Sequence, residues 1–99
     1  MAHFVRIDEN NNVIDGFPVD NADCGGGNFP ESEPIGEAFL NANGFPGVWK
    51  QTSYSGSFRY NYAASTAFCY DPDQDAFYIK DSPGPGWTFD TTTFKWVGP

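Results

Sequence analysis

The chain reads as an α+β protein, mostly antiparallel β built from hairpins, with one short packed helix. Three observations predict it. Three stretches repeat one plan: an apolar strand, an Asp at the turn, a few polar residues, then a second apolar strand. Only one run has apolar residues at helical spacing. Leu occurs once, at Leu40, whereas aromatics make up 18% of the residues. A few buried rings replace many aliphatics, so the core is aromatic and sheet-borne, without the Leu and Ala stripes of a helical bundle.

The first hairpin is Phe4-Val5-Arg6-Ile7-Asp8-Glu9-Asn10-Asn11-Asn12-Val13-Ile14. The second runs from Phe68 through Asp71-Pro72-Asp73-Gln74-Asp75 to Tyr78, and the third from Trp87 through Asp90 to Trp96. Asp opens such turns because its carboxylate accepts a bond from a backbone N–H two residues on. Their loop lengths differ, which makes this a recurrent hairpin grammar and not a sequence repeat. The helix spans Glu33–Asn43. Ser32 is its expected cap, with Glu33 and Pro34 in the first turn. Ile35, Ala38, Phe39 and Ala42 form its apolar face, and Gly44 ends it in a left-handed conformation. Loops cover Asp20–Pro30 and Asp81–Gly86. At 99 residues the chain is one domain, 1–99, large enough to sustain a core.

The run Trp49-Lys50-Gln51-Thr52-Ser53-Tyr54-Ser55-Gly56-Ser57-Phe58-Arg59-Tyr60-Asn61-Tyr62-Ala63 is dense in aromatics. It reads as two short strands around Ser55-Gly56. On the second, Phe58, Tyr60 and Tyr62 alternate with Arg59, Asn61 and Ala63, the period-2 pattern of a strand with one buried or adhesive face. Arg59 then points the other way, available to an acidic partner or to backbone carbonyls. Trp49, Tyr54, Phe58, Arg59, Tyr60 and Tyr62 are the candidate interaction residues, with simple core packing as the competing reading.

The net charge is −8, with five Lys and Arg against thirteen Asp and Glu. So few cations argue against nucleic acid as a partner, and the same field opposes an anionic membrane surface. No segment approaches the ~20 apolar residues of a membrane span. Met1–Arg6 holds no apolar run of signal-peptide length, so folding in the cytosol of the producing cell is expected, with Cys24 and Cys69 as free thiols.

Candidate chemistry is sparse. Asp71, Asp73 and Asp75 resemble the start of a calcium loop, but Ala76 and Ser82 stand where an EF-hand needs Gly and Glu. A solvated hairpin turn is expected, and no metal. Gly25-Gly26-Gly27 lacks the Lys-Ser/Thr of a phosphate loop and suits a connector or a close backbone approach. His3 is the only histidine, which rules out an ordinary zinc set and leaves a catalytic triad only an N-terminal base. No carboxylate pair is marked for acid–base work. The expectation is a non-enzymatic protein with no cofactor. Carbohydrate binding is a rival, with Trp49, Trp87, Trp96 and several Tyr as a platform for sugar rings.

The order of segments carries a resemblance. Met1-Ala2-His3-Phe4 precedes an Asp8-Glu9-Asn10-Asn11 turn. Cys24 is followed by glycines and by Phe29-Pro30-Glu31-Ser32-Glu33. Then come the Trp49–Ala63 run, Tyr70-Asp71 with Asp75-Ala76-Phe77, and a Trp-containing closing hairpin. Together these resemble a family of small proteins of marine tailed bacteriophages, cyanophages and their relatives, of virion-structural or hypothetical status. The likeness covers nearly the whole chain and is most specific at Trp49–Ala63 and Tyr70–Phe77. Where usual members carry Gly-Ile-Gly after Tyr-Ala, this chain has Ala64-Ser65-Thr66.

The resemblance implies a virion component made in the host cytoplasm. Small size without a repeat segment argues against a fibre shaft, and the acidity suits an exterior position better than one facing packaged DNA. A capsid decoration or cement protein on the capsid exterior is the leading expectation. Its partners are the major capsid protein or other virion proteins and copies of itself, arranged on a symmetric site. The alternative is a tail, neck or receptor-binding component with an aromatic glycan-binding surface.

Overall fold

The structure, a computed structural model, describes residues 1–99. Strands β1 (Ala2–Ile7), β2 (Val13–Val19) and β3 (Val48–Thr52) form an antiparallel sheet in the order β2-β1-β3. Between β2 and β3 lie a 3₁₀ turn at Asn21–Cys24 and the helix α1 (Ser32–Ala42). Two further hairpins follow: β4 (Phe68–Asp71) with β5 (Ala76–Ile79), and β6 (Thr88–Asp90) with β7 (Lys95–Val97). The α+β, hairpin-built architecture is the expected one.

The three expected hairpins form at the expected places, and the Asp turns work as the side-chain chemistry requires. Asp8 Oδ1 accepts from the backbone N–H of Asn10 and Asn12, both at 2.9 Å. Asp71 Oδ1 accepts from Asp73 at 2.9 Å and Gln74 at 3.2 Å, and Asp90 Oδ1 from Thr92 at 2.8 Å. Each chain reversal also uses a left-handed residue: Asn11 (φ 65°), Asp75 (φ 52°) and Phe94 (φ 56°). The last two hairpins share one loop geometry, since Asp71 pairs with Ala76 and Asp90 with Lys95.

The β2-β1-β3 sheet is the middle layer. Alternation along β1 sends Ala2 and Phe4 to one face and Val5 and Ile7 to the strands' other side. Ala2 and Phe4 join Val19, Cys24, Leu40 and Trp49 in a core under the helix. Val5 and Ile7 join Val13, Ala63, Tyr70 and Phe77 in a second core under the β4–β5 hairpin.

The helix departs from expectation in which face it buries. Ser32, Gly36 and Leu40 face inward, while Ile35, Ala38 and Ala42 are exposed and Phe39 is half-buried. Gly36 explains the choice: a Cβ there would collide with the Phe4 ring and stand 3.0 Å from Cys24 Sγ. The sheet approaches the helix backbone more closely than any apolar stripe would allow. Ser32 is not the cap either. Glu31 holds that position without a side-chain bond, and Ser32 Oγ, buried, donates to Gln51 Oε1 at 2.6 Å. Gly44 does adopt the left-handed conformation, at φ 91°.

The larger correction concerns 53–63. Trp49 to Thr52 is strand, but it pairs with β1 and not with a following strand. Phe58–Tyr62 is irregular, and Arg59 (φ 56°) and Tyr60 (φ 68°) are consecutive left-handed residues. That conformation is disfavoured for side chains with a Cβ, so tertiary contacts at this corner must hold it.

Candidate functional site

Gln51, Thr52 and Ser53 hold the corner from one side. All three are buried. Gln51 meets Ser32 at the helix start. Thr52 Oγ1 accepts from the Ala63 N–H at 2.9 Å, and Ser53 Oγ accepts from the Ser57 N–H at 3.0 Å. Gln51 thus ties β3 to the helix, while Thr52 and Ser53 fasten the following loop at Ala63 and Ser57.

Arg59 holds it from the other side. Its side chain is 6% exposed, turned into the protein and not on the free face of a strand. The guanidinium pairs with Glu33 of α1 through both Nη atoms, and Nη1 also donates to the Gln51 carbonyl at 3.0 Å. Nε donates to Asp75 Oδ1 at 2.8 Å. The Phe29 ring lies 4.8 Å and the Tyr70 ring 5.5 Å from Cζ, within cation–π range. Tyr70 Oη donates to the same Asp75 oxygen. The anticipated acidic partner and backbone carbonyl are therefore residues of this chain.

Burial pulls the guanidinium down in pKa, but its bonds to Glu33 and Asp75 outweigh this and raise it. Burial pushes Asp75 up, yet the Tyr70 and Arg59 bonds hold it below the ordinary carboxylate value. Burial and the Asp75 acceptor push Tyr70 up to about 12.

The other candidates separate. Trp49 is 1% exposed, with its Nε1 donating to the Phe45 carbonyl at 2.9 Å, so it offers no ring to a sugar. Phe58 is half-buried, stacked on Phe29 at 3.8 Å. Tyr60 is turned outward by the left-handed corner and lies 4.6 Å from Phe94. Tyr54 is 74% exposed. Its ring contacts Tyr62 at 5.2 Å and His3 at 5.7 Å, and His3 contacts Tyr62 at 5.6 Å. This surface cluster of three rings brings two expected residues together with His3, which no motif marks. His3 shares the parity of the buried Val5 and Ile7 on β1, so nothing in the sequence marks it as a surface residue.

Asp71, Asp73 and Asp75 do not converge. Asp71 closes the turn and Asp75 is engaged by Arg59 and Tyr70. No group of three or more His, Cys, Asp or Glu residues is arranged to hold a metal ion. Cys24 and Cys69 are free and buried, and no helix is long and apolar enough to cross a membrane.

No family model, no curated protein and no solved structure matches the chain.

Proposed function

We propose that this protein is a non-enzymatic structural component of a tailed-phage virion, a decoration or cement protein on the capsid exterior. The observation that carries it is the way the most family-like run, Trp49–Ala63, is used. Gln51, Thr52, Ser53 and Arg59 are consumed by internal bonds, and Tyr54 remains exposed, resting on the half-buried rings of Tyr62 and His3. Tyr-rich surfaces with few rotatable bonds are favourable contact anchors. The residues that resemble the phage family thus build a rigid corner that presents rings and not a reactive set.

The β3 edge of the central sheet is covered and the exposed β2 edge has donors removed at two positions, which favours docking through side chains over strand addition. On β3, the Trp49 N–H donates to Glu37 Oε2 at 2.8 Å and the Gln51 N–H to Glu33 Oε2 at 2.7 Å. On β2, Pro18 has no N–H, and the Gly16 N–H is taken by Asp15 Oδ1 at 2.9 Å. The net charge of −8 suits a surface facing away from packaged DNA.

Quantitative mass spectrometry of purified virions tests the reading. Hundreds of copies per particle are expected for a capsid lattice component, on the order of its subunit symmetry. A dozen or fewer favours the tail or neck alternative, and absence from the particle overturns both. Tyr54→Ala is expected to reduce incorporation while leaving the melting temperature unchanged.

A further inference from the structure

We propose that the groove walled by Phe68, Ile79, Trp87, Phe94 and Trp96, with Lys95 at its side, binds a carboxylated saccharide. The inference is independent of the virion reading, since it rests on this groove alone. The groove has a volume of about 360 Å³. Its walls come from β4, β5, β7, the 94 turn and the Pro/Gly-rich segment before β6.

Trp87 is held at the rim by backbone. A Cβ on Gly98 would stand 3.0 Å from Trp87 Cη2, and one on Gly84 3.8 Å from Cδ1. Ser82 Oγ donates to the Gly84 carbonyl at 3.0 Å, bracing that turn. The indole is therefore seated in place while its residue remains 38% exposed. Trp96 is fixed too, with Nε1 donating to the Ile79 carbonyl at 2.7 Å. Two immobilised indoles offer the flat apolar faces on which the C–H side of a pyranose ring rests.

The polar complement points to an acid sugar. The Asn61 amide donates to the Phe77 and Phe94 carbonyls at 2.7 and 2.9 Å, which fixes it and leaves its Oδ1 without a donor from the chain. Trp87 Nε1 is likewise without an acceptor among the hydrogen bonds of the fold, and Lys95 is in no salt bridge. In a chain with thirteen acids, no acidic residue lines this groove, and its single charge is the Lys95 ammonium. A ligand matching it presents an apolar ring face, hydroxyls for Asn61 and Trp87, and one carboxylate for Lys95. Uronic-acid residues of polysaccharides have that chemistry.

Titration of the full-length protein with trigalacturonate and with neutral maltotriose, followed by amide NMR shifts and tryptophan fluorescence, tests this. Trigalacturonate is expected to give saturable shifts centred on Trp87, Trp96 and Asn61, with affinity about tenfold or more above maltotriose. Lys95→Gln is expected to remove that preference, and Trp87→Ala to weaken binding of both sugars. Lys95 is an exposed side chain, so Lys95→Gln reports on the groove even where Trp87→Ala impairs folding. Absence of saturable shifts with trigalacturonate overturns the proposal. So do shifts centred on Tyr54, equal affinity for the two sugars, or an acid-sugar preference that survives Lys95→Gln.

Discussion

Replacing Arg59 with Ala removes the one cation that α1, β3 and the β4–β5 turn share. Two carboxylates lose their partner, but not equally. The Asp75 side chain is 56% exposed, so water recovers most of that pair, and its loss accounts for about 0–1 kcal/mol. The Glu33 side chain is only 17% exposed and is left with a single donor, the Gln51 N–H. Breaking a largely buried pair from one side costs about 3–5 kcal/mol. For a chain of this size that is a fall of roughly 15–35 °C in melting temperature. Urea unfolding of the wild type, Arg59→Ala, Glu33→Gln and the double variant measures it as a cycle. Glu33→Gln alone is expected to cost about 1–3 kcal/mol, and the double variant to cost less than the sum. A loss below about 1 kcal/mol for Arg59→Ala, or strict additivity, would refute the claim that this ion pair holds the corner.

Gly36→Ala is expected to destabilise the fold by about 1–3 kcal/mol although Ala is the better helix former, because its methyl group would enter the Phe4 ring; thermal unfolding shows the sign. Stability should decline at both ends of the pH scale. Asp75, held below 3.8, contributes stability that is present above that value and is lost as pH falls through its lower folded value. Tyr70 contributes stability that is complete below 10 and is lost as pH rises from there through about 12. Tyr78 is pushed up to about 12 as well, by its hydrogen bond with Cys69 and by burial. Denaturant midpoints across pH, with near-ultraviolet absorbance following the phenols, test both limbs, and Tyr70→Phe should reduce the alkaline one without abolishing it. Cys24 and Cys69 are 1% and 4% exposed, and burial pushes the Cys24 thiol up. Both should react with Ellman's reagent only as fast as the chain opens, so rapid labelling of native protein would contradict the packing described.

What the sequence makes legible follows the range of the interactions. The hairpins at Asp8, Asp71 and Asp90 are readable because an Asp carboxylate bonds backbone two to four residues on, all within one short stretch. The helix is readable in extent but not in orientation. Its inner face is set by Phe4, and its Glu33 and Glu37 are drawn to the sheet by backbone N–H groups of β3. The Phe58–Tyr62 alternation matched a strand, yet Arg59 bonds Glu33 and Asp75, 26 and 16 residues away. Those partners carry no spacing signal, and they override the local pattern. The surface cluster is half legible: Tyr54 and Tyr62 stand out in the motif, whereas His3 joins them only because β1 and β3 are paired in register, His3 opposite Thr52.

The two glutamates that cap β3 bear on how the chain meets copies of itself. A bare sheet margin is a template on which a second chain can polymerise. Here the helix covers that margin with carboxylates, four residues apart on one turn of helix, whose spacing matches alternate N–H groups along the strand. With both N–H groups engaged, this margin offers a second strand no free donors at Trp49 and Gln51. Removing Glu37 uncovers the Trp49 N–H while leaving the ion pair at Arg59 in place. Glu37→Ala should therefore make aggregation rise more steeply with concentration than in the wild type, even where the unfolding midpoint scarcely moves.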